Sequence, residues 1–306
     1  MIVAVTGATG TVGQFIVKHL LETGAIVRAW RRPASNTGTL PPGIEWIDGE
    51  LGDSASGAAL VEGADALVHA ALQHAPGRYR GGEGGDLAGF IETNVGGSLA
   101  LMAAARAASV KRCVVLSSRA VFGEPHVAGP IAARPIADGE PPRPDTHYGA
   151  AKAALEGFVR SWGLGEGWAV AALRPTGVYG VVEPVARSKW FDVVTQALAG
   201  EPVAARTASE VHGHDVARSV RRLLEADAAA IAGRTFNCSD IVVSTRDIVG
   251  LVQRIARVSG PLPEALPAPG NLMSSDGLAA LGVAFGGMPL FERTVAELVE
   301  AASQRG

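Results

Sequence analysis

The chain has 306 residues, 47% of them hydrophobic and 19% charged, with 27 Lys and Arg against 30 Asp and Glu for a net charge of -3 and a pI near 6.2. That is apolar material for one large α/β core with a smaller appended lobe, and the slightly acidic balance gives no general attraction for nucleic acid or an anionic membrane, so neither is expected as a partner. The first strand starts at residue 1, which leaves no room for a basic and apolar leader, and no run nears the roughly 18 apolar residues of a membrane span; a cytoplasmic location is expected.

Ile2-Val3-Ala4-Val5 reads as a buried parallel strand, followed by Thr6-Gly7-Ala8-Thr9-Gly10-Thr11-Val12-Gly13 and then by Phe15, Ile16, His19 and Leu20 at helical spacing. Strand, glycine turn and helix follow one another. Gly7 tolerates backbone angles other residues avoid, Gly10 lets the main chain approach a ligand, and Gly13 lets the helix pack closely on the strand. The free N–H groups of such a helix start suit a pyrophosphate, though many helix entries use glycine for purely structural reasons. Gly24 ends the helix, and Ala25 to Trp30 form the second strand, ending in Arg31 and Arg32. A carboxylate at this place holds the adenosine ribose diol, whereas arginine accommodates a 2′-phosphate. Two guanidiniums here argue for NADP over NAD, unless they are an ordinary solvated strand end.

After a turn-rich connection from Pro33 to Gly43, Ile44 to Ile47 make a third strand. Glu50 and Asp53 behind it suit either an adenine amino group or the cap of the next helix. Ala66 to Ala71 form the fourth strand, which ends in His69, Ala70 and Ala71. The glycine-rich stretch from Gln73 to Gly89, with Arg78, Tyr79 and Arg80, is either a substrate lid or a disordered loop. A helical pattern from Phe90 to Ala108 contains Asn94, and Val114-Val115-Leu116 runs as a fifth strand into Ser117-Ser118-Arg119-Ala120-Val121-Phe122-Gly123. In open parallel sheets ligands bind beyond the carboxyl ends of the strands, which would bring Ser117 and Ser118 beside the cofactor; serines there also serve as plain turn residues.

Pro125 to Thr146 is a polar, proline-rich connection to a helix that starts near Tyr148 and carries Lys152. Four residues apart, these two project from one helical face, about 6 Å from one another. Trp168 to Leu173 form the next strand, leading into Arg174-Pro175-Thr176-Gly177-Val178-Tyr179-Gly180. Regular alternation fades beyond it. The expected organisation is a doubly wound, Rossmann-like α/β domain over residues 1-178, with a returning segment near 213-240, and a smaller substrate lobe from residues 179-212 and 241-306. Cys113 and Cys238 read as buried free thiols with no disulfide. His212 and His214 have no third ligand at a set spacing, so no metal is expected.

Taken in order, the glycine turn, His69-Ala70-Ala71, Asn94, Ser117-Ser118 before Val121-Phe122-Gly123, Tyr148 with Lys152, and Leu173-Arg174-Pro175 through Val178-Tyr179-Gly180 resemble the extended short-chain dehydrogenases/reductases of the NAD(P)-dependent epimerase/dehydratase family. The resemblance implies catalytic Ser118, Tyr148, Lys152 and Asn94. It implies a dinucleotide held by Gly7, Thr9, Gly10, Thr11, Val12, Gly13, Arg31, Arg32, Glu50, Leu51, His69, Ala70, Ala71, Ser117, Tyr148, Lys152 and Pro175. Tyr148 would be the general acid/base, Lys152 its electrostatic partner and a ligand of the nicotinamide ribose, and Ser118 the hydroxyl that orients the reacting oxygen. An unperturbed phenol titrates near pH 10, and a neighbouring ammonium favours its anion.

The chemistry implied is hydride transfer at a secondary alcohol or ketone of a sugar-like or nucleotide-sugar substrate. An epimerase that retains its cofactor and a reductase that exchanges it need the same residues; dehydration is disfavoured because Arg119-Ala120 stands where the sugar-nucleotide dehydratases carry Asp-Glu. A non-catalytic NADP-sensing regulator would need the turn but not Tyr148 and Lys152. Arg119, His147, Arg187, Lys189, Trp190 and Arg206 are substrate-contact candidates. The resemblance also implies a homodimer joined through the helices of Asn94 and Tyr148.

Overall fold

The computed structural model describes residues 1–75, 81–124 and 134–304. Seven parallel strands form the main sheet: β1 (Ile2–Thr6), β2 (Ile26–Arg31), β3 (Ile44–Asp48), β4 (Ala66–His69), β5 (Arg112–Leu116), β6 (Ala169–Pro175) and β9 (Arg234–Cys238), in the order β3-β2-β1-β4-β5-β6-β9. The strands are apolar on both sides because helices cover both faces. On one face α1 (Thr11–Glu22) and α7 (Gly213–Glu225) bury Phe15, Ile16, Leu20, Val216, Val220 and Leu223 against Val3, Val5 and Leu173. On the other, α2 (Ser54–Val61), α4 (Gly97–Ala107) and α5 (His147–Glu166) bury Leu60, Leu101, Met102, Leu155 and Val159 against Ala4, Leu67 and Val115.

The chain winds outward from β1 to β3 and then restarts on the other side with β4. Thr6 and His69 are register partners at the carboxyl ends of β1 and β4, so the crevice of the sheet opens there. A second sheet, β10-β8-β7, is built from Gly177–Tyr179 (β7), Thr207–His212 (β8) and Ile241–Ser244 (β10). Its own core gathers Tyr179, Trp190, Phe191, Val194, Ile248, Val252, Phe291, Val295 and Leu298. Apart from Tyr179 of β7 and Trp190, these come from α6 (Phe191–Leu198), α9 (Thr245–Ala256) and α11 (Gly287–Ser303); the short helices α8 (Ala228–Ile231) and α10 (Asp276–Ala280) fall between them in the chain.

Two details depart from the sequence expectations. Strand β4 stops at His69, so Ala70 and Ala71 belong to the connection after it. The run Leu87–Ala107 has a mean hydropathy of 1.2 and is long and apolar enough, by length and composition alone, to cross a membrane. It escaped notice because small residues and isolated polar ones interrupt it. Within the fold it is α3 (Leu87–Ile91), a π turn over Glu92–Gly96 and α4, with Asn94 and Ser98 turned inward and buried. Cys113 and Cys238 are free and buried.

Candidate active site

The glycine turn leads β1 into α1 as a tight arch. Gly7 takes a φ of +73°, and a Cβ on it would stand 2.7 Å from the Ala70 carbonyl carbon, so the turn and the chain leaving β4 are in backbone contact. A Cβ on Gly13 would strike the Gly7 carbonyl. Both glycines therefore act as the sequence predicts. The start of α1 has no side-chain cap and no acid in its first turn. Its unpaired N–H groups and dipole are left to an anion, so the turn fits the diphosphate of a dinucleotide.

Beneath the turn runs a buried polar chain. Thr6 Oγ1 accepts from the Ala70 and Ala71 N–H groups, each at 3.1 Å, and therefore donates to His69 Nδ1 at 2.7 Å. His69 Nε2 then donates to Ser98 Oγ at 2.8 Å, and Ser98 donates to the Asn94 carbonyl at 2.5 Å. Burial pushes the imidazole down to about 3, so it is neutral and fixed in one tautomer. Both of its nitrogens are committed within the protein. His69 thus supports the turn through Thr6, and its ring has no atom left for a ligand.

Asn94 lies in the π turn, whose extra residue rotates its side chain into the fold. Its Oδ1 accepts from the Gln73 N–H at 2.7 Å, while Nδ2 donates to the Gln73 and Phe90 carbonyls at 2.8 and 3.0 Å. That side chain pins the segment leaving β4. Arg78, Tyr79 and Arg80 of the anticipated lid lie outside the described residues.

At the end of β5, Ser118 caps the 3₁₀ turn Arg119–Phe122, its Oγ accepting from the Ala120 N–H at 3.1 Å. Accepting there leaves its own hydrogen to donate. Ser117 points elsewhere: its hydroxyl donates to Glu156 Oε1 at 2.5 Å. Thr146 caps α5, which begins at His147 and carries Tyr148 and Lys152. Gly149 is the hinge of this geometry, because a Cβ there would overlap the Ala120 carbonyl. Its absence lets the Ser118 turn lie directly on the first turn of α5, beside Tyr148.

Lys152 is 5% exposed and donates from Nζ to the Leu116 carbonyl at 2.7 Å. Burial lowers its pKa to about 8, partly opposed by Glu156 one helical turn on. Glu156 is itself held by Arg174 through Nε at 2.8 Å and Nη2 at 2.7 Å, with Nη1 on the Asp138 carbonyl at 2.9 Å and the guanidinium 4.8 Å above the Phe122 ring. This buried pair ties α5 to the ends of β5 and β6, where Pro175 is also buried.

At the other end of the crevice, Arg31 bonds Asp48 on β3 at 2.8 Å, and Arg32 is exposed. Asp53 is the cap of α2, accepting from Ala55 and Ser56, and these bonds lower its pKa. Glu50 is exposed and Leu51 half-buried between them. Toward the second sheet, Lys189 pairs with the buried Glu210 beside Gly177, with Arg119 and Arg206 near enough to act on both electrostatically. His212 and His214 stack on one another with ring centroids 5.1 Å apart, and Phe15 meets both edge-on. Among the described residues no three His, Cys, Asp or Glu side chains are grouped to hold a metal.

Sequence reading missed Thr6, Ser98, Gln73 and Glu156. Of these only Glu156 carried a signal, sitting one turn beyond Lys152 on the same helical face.

Comparison with known proteins identifies the family of this chain. A 3 beta-hydroxysteroid dehydrogenase/Delta 5-->4-isomerase of Mycobacterium tuberculosis is 33% identical over 63% of the chain, although the chain spans only about half, 51%, of that relative's length. A UDP-glucose 4-epimerase of Streptomyces lividans is 27% identical over 90% of the chain and 88% of its own length. In fold, the chain resembles the UDP-glucose 4-epimerase of Thermus thermophilus solved in complex with NAD, with a TM-score of 0.78, 24% identity and 99% of each chain covered. The family model of the NAD dependent epimerase/dehydratase family matches residues 3–239, from the first residues of β1 to the end of β9, and this chain belongs to that family.

Proposed function

We propose that the protein is an NAD(P)-dependent enzyme that oxidises or reduces a secondary alcohol or ketone of a sugar-like substrate, with Tyr148 as general acid/base. The observation that carries the reading is the contact of the Ser118 turn with the first turn of α5 at Gly149, the turn that holds Tyr148, with Lys152 one turn further along the same helix. When bound there, a nicotinamide dinucleotide supplies the hydride donor or acceptor. Tyr148 takes the proton of the substrate hydroxyl, or returns it to the carbonyl oxygen. Ser118, whose lone pair is engaged by the Ala120 N–H, donates its own hydrogen to the same oxygen and orients it. Lys152 uses one hydrogen on the Leu116 carbonyl and offers its charge to the phenolate and its remaining N–H groups to the ribose. Asn94 and His69 act through position, by holding the segment after β4 and the glycine turn.

NADP is favoured over NAD because β2 ends in Arg31, followed by Arg32, without a carboxylate on that strand. Nucleotide-sugar substrates are suggested by the UDP-glucose 4-epimerase of Streptomyces lividans, which shares most of its length with this chain. The residues divide into a dinucleotide-binding lobe and a smaller substrate lobe around the second sheet, whose separate core supports that division. A homodimer through α3, α4 and α5 is supported by exposed Leu87, Ile91, Phe158 and Leu164 on these helices. A cytoplasmic setting suits two buried, unpaired cysteines.

Calorimetric titration of NADP and NAD tests the cofactor reading. Saturable binding that is lost in Gly13→Val, and an NADP preference that is reduced in Arg31→Ala, are the expected results. An absence of binding to native protein that carries no dinucleotide from purification would refute the dinucleotide site, and tighter NAD binding indifferent to Arg31→Ala would refute the 2′-phosphate assignment. Dinucleotide carried through purification marks an epimerase that retains its cofactor; an empty site marks a reductase or dehydrogenase.

A further inference from the structure

The glycine turn is touched from the other side of the crevice by a segment of the second lobe. Beyond β7, the chain passes Val181 to Arg187 alongside the start of α1. Gln14, 1% exposed in the first turns of α1, clasps the main chain of Glu183 in both directions: its Nε2 donates to the Glu183 carbonyl at 2.7 Å, and its Oε1 accepts the Glu183 N–H at 2.9 Å. Two reciprocal bonds to one residue fix that segment against the helix that presents the turn. The chain then makes a single 3₁₀ turn, Val185–Arg187, and the Arg187 guanidinium donates to the carbonyl of Thr9, inside the glycine turn, at 3.4 Å.

We propose that Arg187 is a cationic clamp on the diphosphate of the bound dinucleotide, contributed by the substrate lobe; this rests on the reading of the glycine turn as a dinucleotide site. Arg187 is exposed and makes no ion pair among the described residues, so only one long bond to a neutral carbonyl holds it at the turn. The anion it would neutralise is not supplied by the protein, since the first turn of α1 carries no acid and its start has no side-chain cap. A guanidinium beside the turn adds charged donors to the N–H groups of the helix start for one diphosphate. Because Gln14 fixes the Glu183 segment to α1, the main chain that carries Arg187 is already held beside the turn before the anion arrives.

A diphosphate could also come from a nucleotide-sugar, and the test separates the two sources. Arg187→Gln, Arg187→Lys and Arg31→Ala are titrated calorimetrically with NADP, NAD and ADP-ribose, and separately with UDP-glucose. Arg187→Gln is expected to weaken NADP, NAD and ADP-ribose alike by roughly 10-fold, the low end for a hydrogen bond to a charged group, and to flatten the salt dependence of all three. Arg187→Lys should recover part of that loss, while Arg31→Ala should affect NADP alone. Unchanged thermal melting of the two Arg187 variants confirms that the fold is intact. Native affinity of Arg187→Gln for NADP, NAD and ADP-ribose overturns the clamp, and so does a loss confined to UDP-glucose, which would assign Arg187 to the substrate. Failure of native protein free of co-purified dinucleotide to bind any of the three would refute the dinucleotide site itself, a result distinguishable from either.

Discussion

Glu156 shows how much one buried side chain does here. It accepts from Ser117 and from two nitrogens of Arg174, and it is the carboxylate that keeps the buried Lys152 from losing its proton still more readily. Removing the partner of a buried charge costs more than the pair contributes, because the remaining guanidinium is left without compensation. Glu156→Ala is therefore expected to lower unfolding stability by about 3–5 kcal/mol, read from urea midpoints; a loss no larger than that of an exposed carboxylate such as Glu92 would show that the pair is not buried in solution. Lys152 gives a second prediction. Its ammonium should titrate near pH 8 in the protein without ligand, below the ordinary lysine value of 10.5. Activity that depends on this charge should fall as the pH rises through that region, and a side-chain titration by NMR checks the midpoint directly.

At the level of elements, the site is made by turns that bring three strand ends and one helix together. Gly149→Ala puts a methyl group onto the Ala120 carbonyl, forcing the Ser118 turn away from α5. A displacement of that kind is expected to cost turnover on the order of 10²-fold, with dinucleotide affinity, measured in the same samples, nearly unchanged. The parallel strands and the helix of Tyr148 and Lys152 were legible in the sequence because period and glycine placement are local properties. The π turn at Asn94 was not, since its extra residue is visible only once the helix has to satisfy the Gln73 main chain. Neither was the Thr6-His69-Ser98 chain, whose members come from three elements joined only by the sheet register and by α4 packing. Asp53 was legible as either an adenine partner or a helix cap, and it caps α2. Arg31 is legible as a 2′-phosphate ligand or a solvated strand end, and the register of β2 with β3 gives it Asp48 as a partner, which no local pattern shows.

For the whole molecule, buried neutral histidines make stability depend on pH. His69 and His212 both have pKa values lowered by burial to about 3 from 6.5. Between those values the unfolded chain binds protons that the folded chain refuses, so stability is fully present above pH 6.5 and is lost as the pH falls toward 3. Each histidine contributes a slope of at most about 1.4 kcal/mol per pH unit. Urea midpoints measured across that window should fall with pH, and less steeply in His69→Asn; a slope unchanged by that substitution would show that His69 is not held neutral. The proposed homodimer belongs to the same scale: Phe158 is exposed on α5, and sedimentation velocity is expected to show a dimer for the native protein and a monomer for Phe158→Glu. The central claim remains that Tyr148 moves the proton, with Ser118 and Lys152 beside it. Its most direct test is the turnover of Tyr148→Phe on a secondary alcohol or nucleotide-sugar that the native protein transforms. The account predicts a fall of roughly 10²- to 10⁴-fold with dinucleotide binding retained; undiminished turnover in Tyr148→Phe would contradict it.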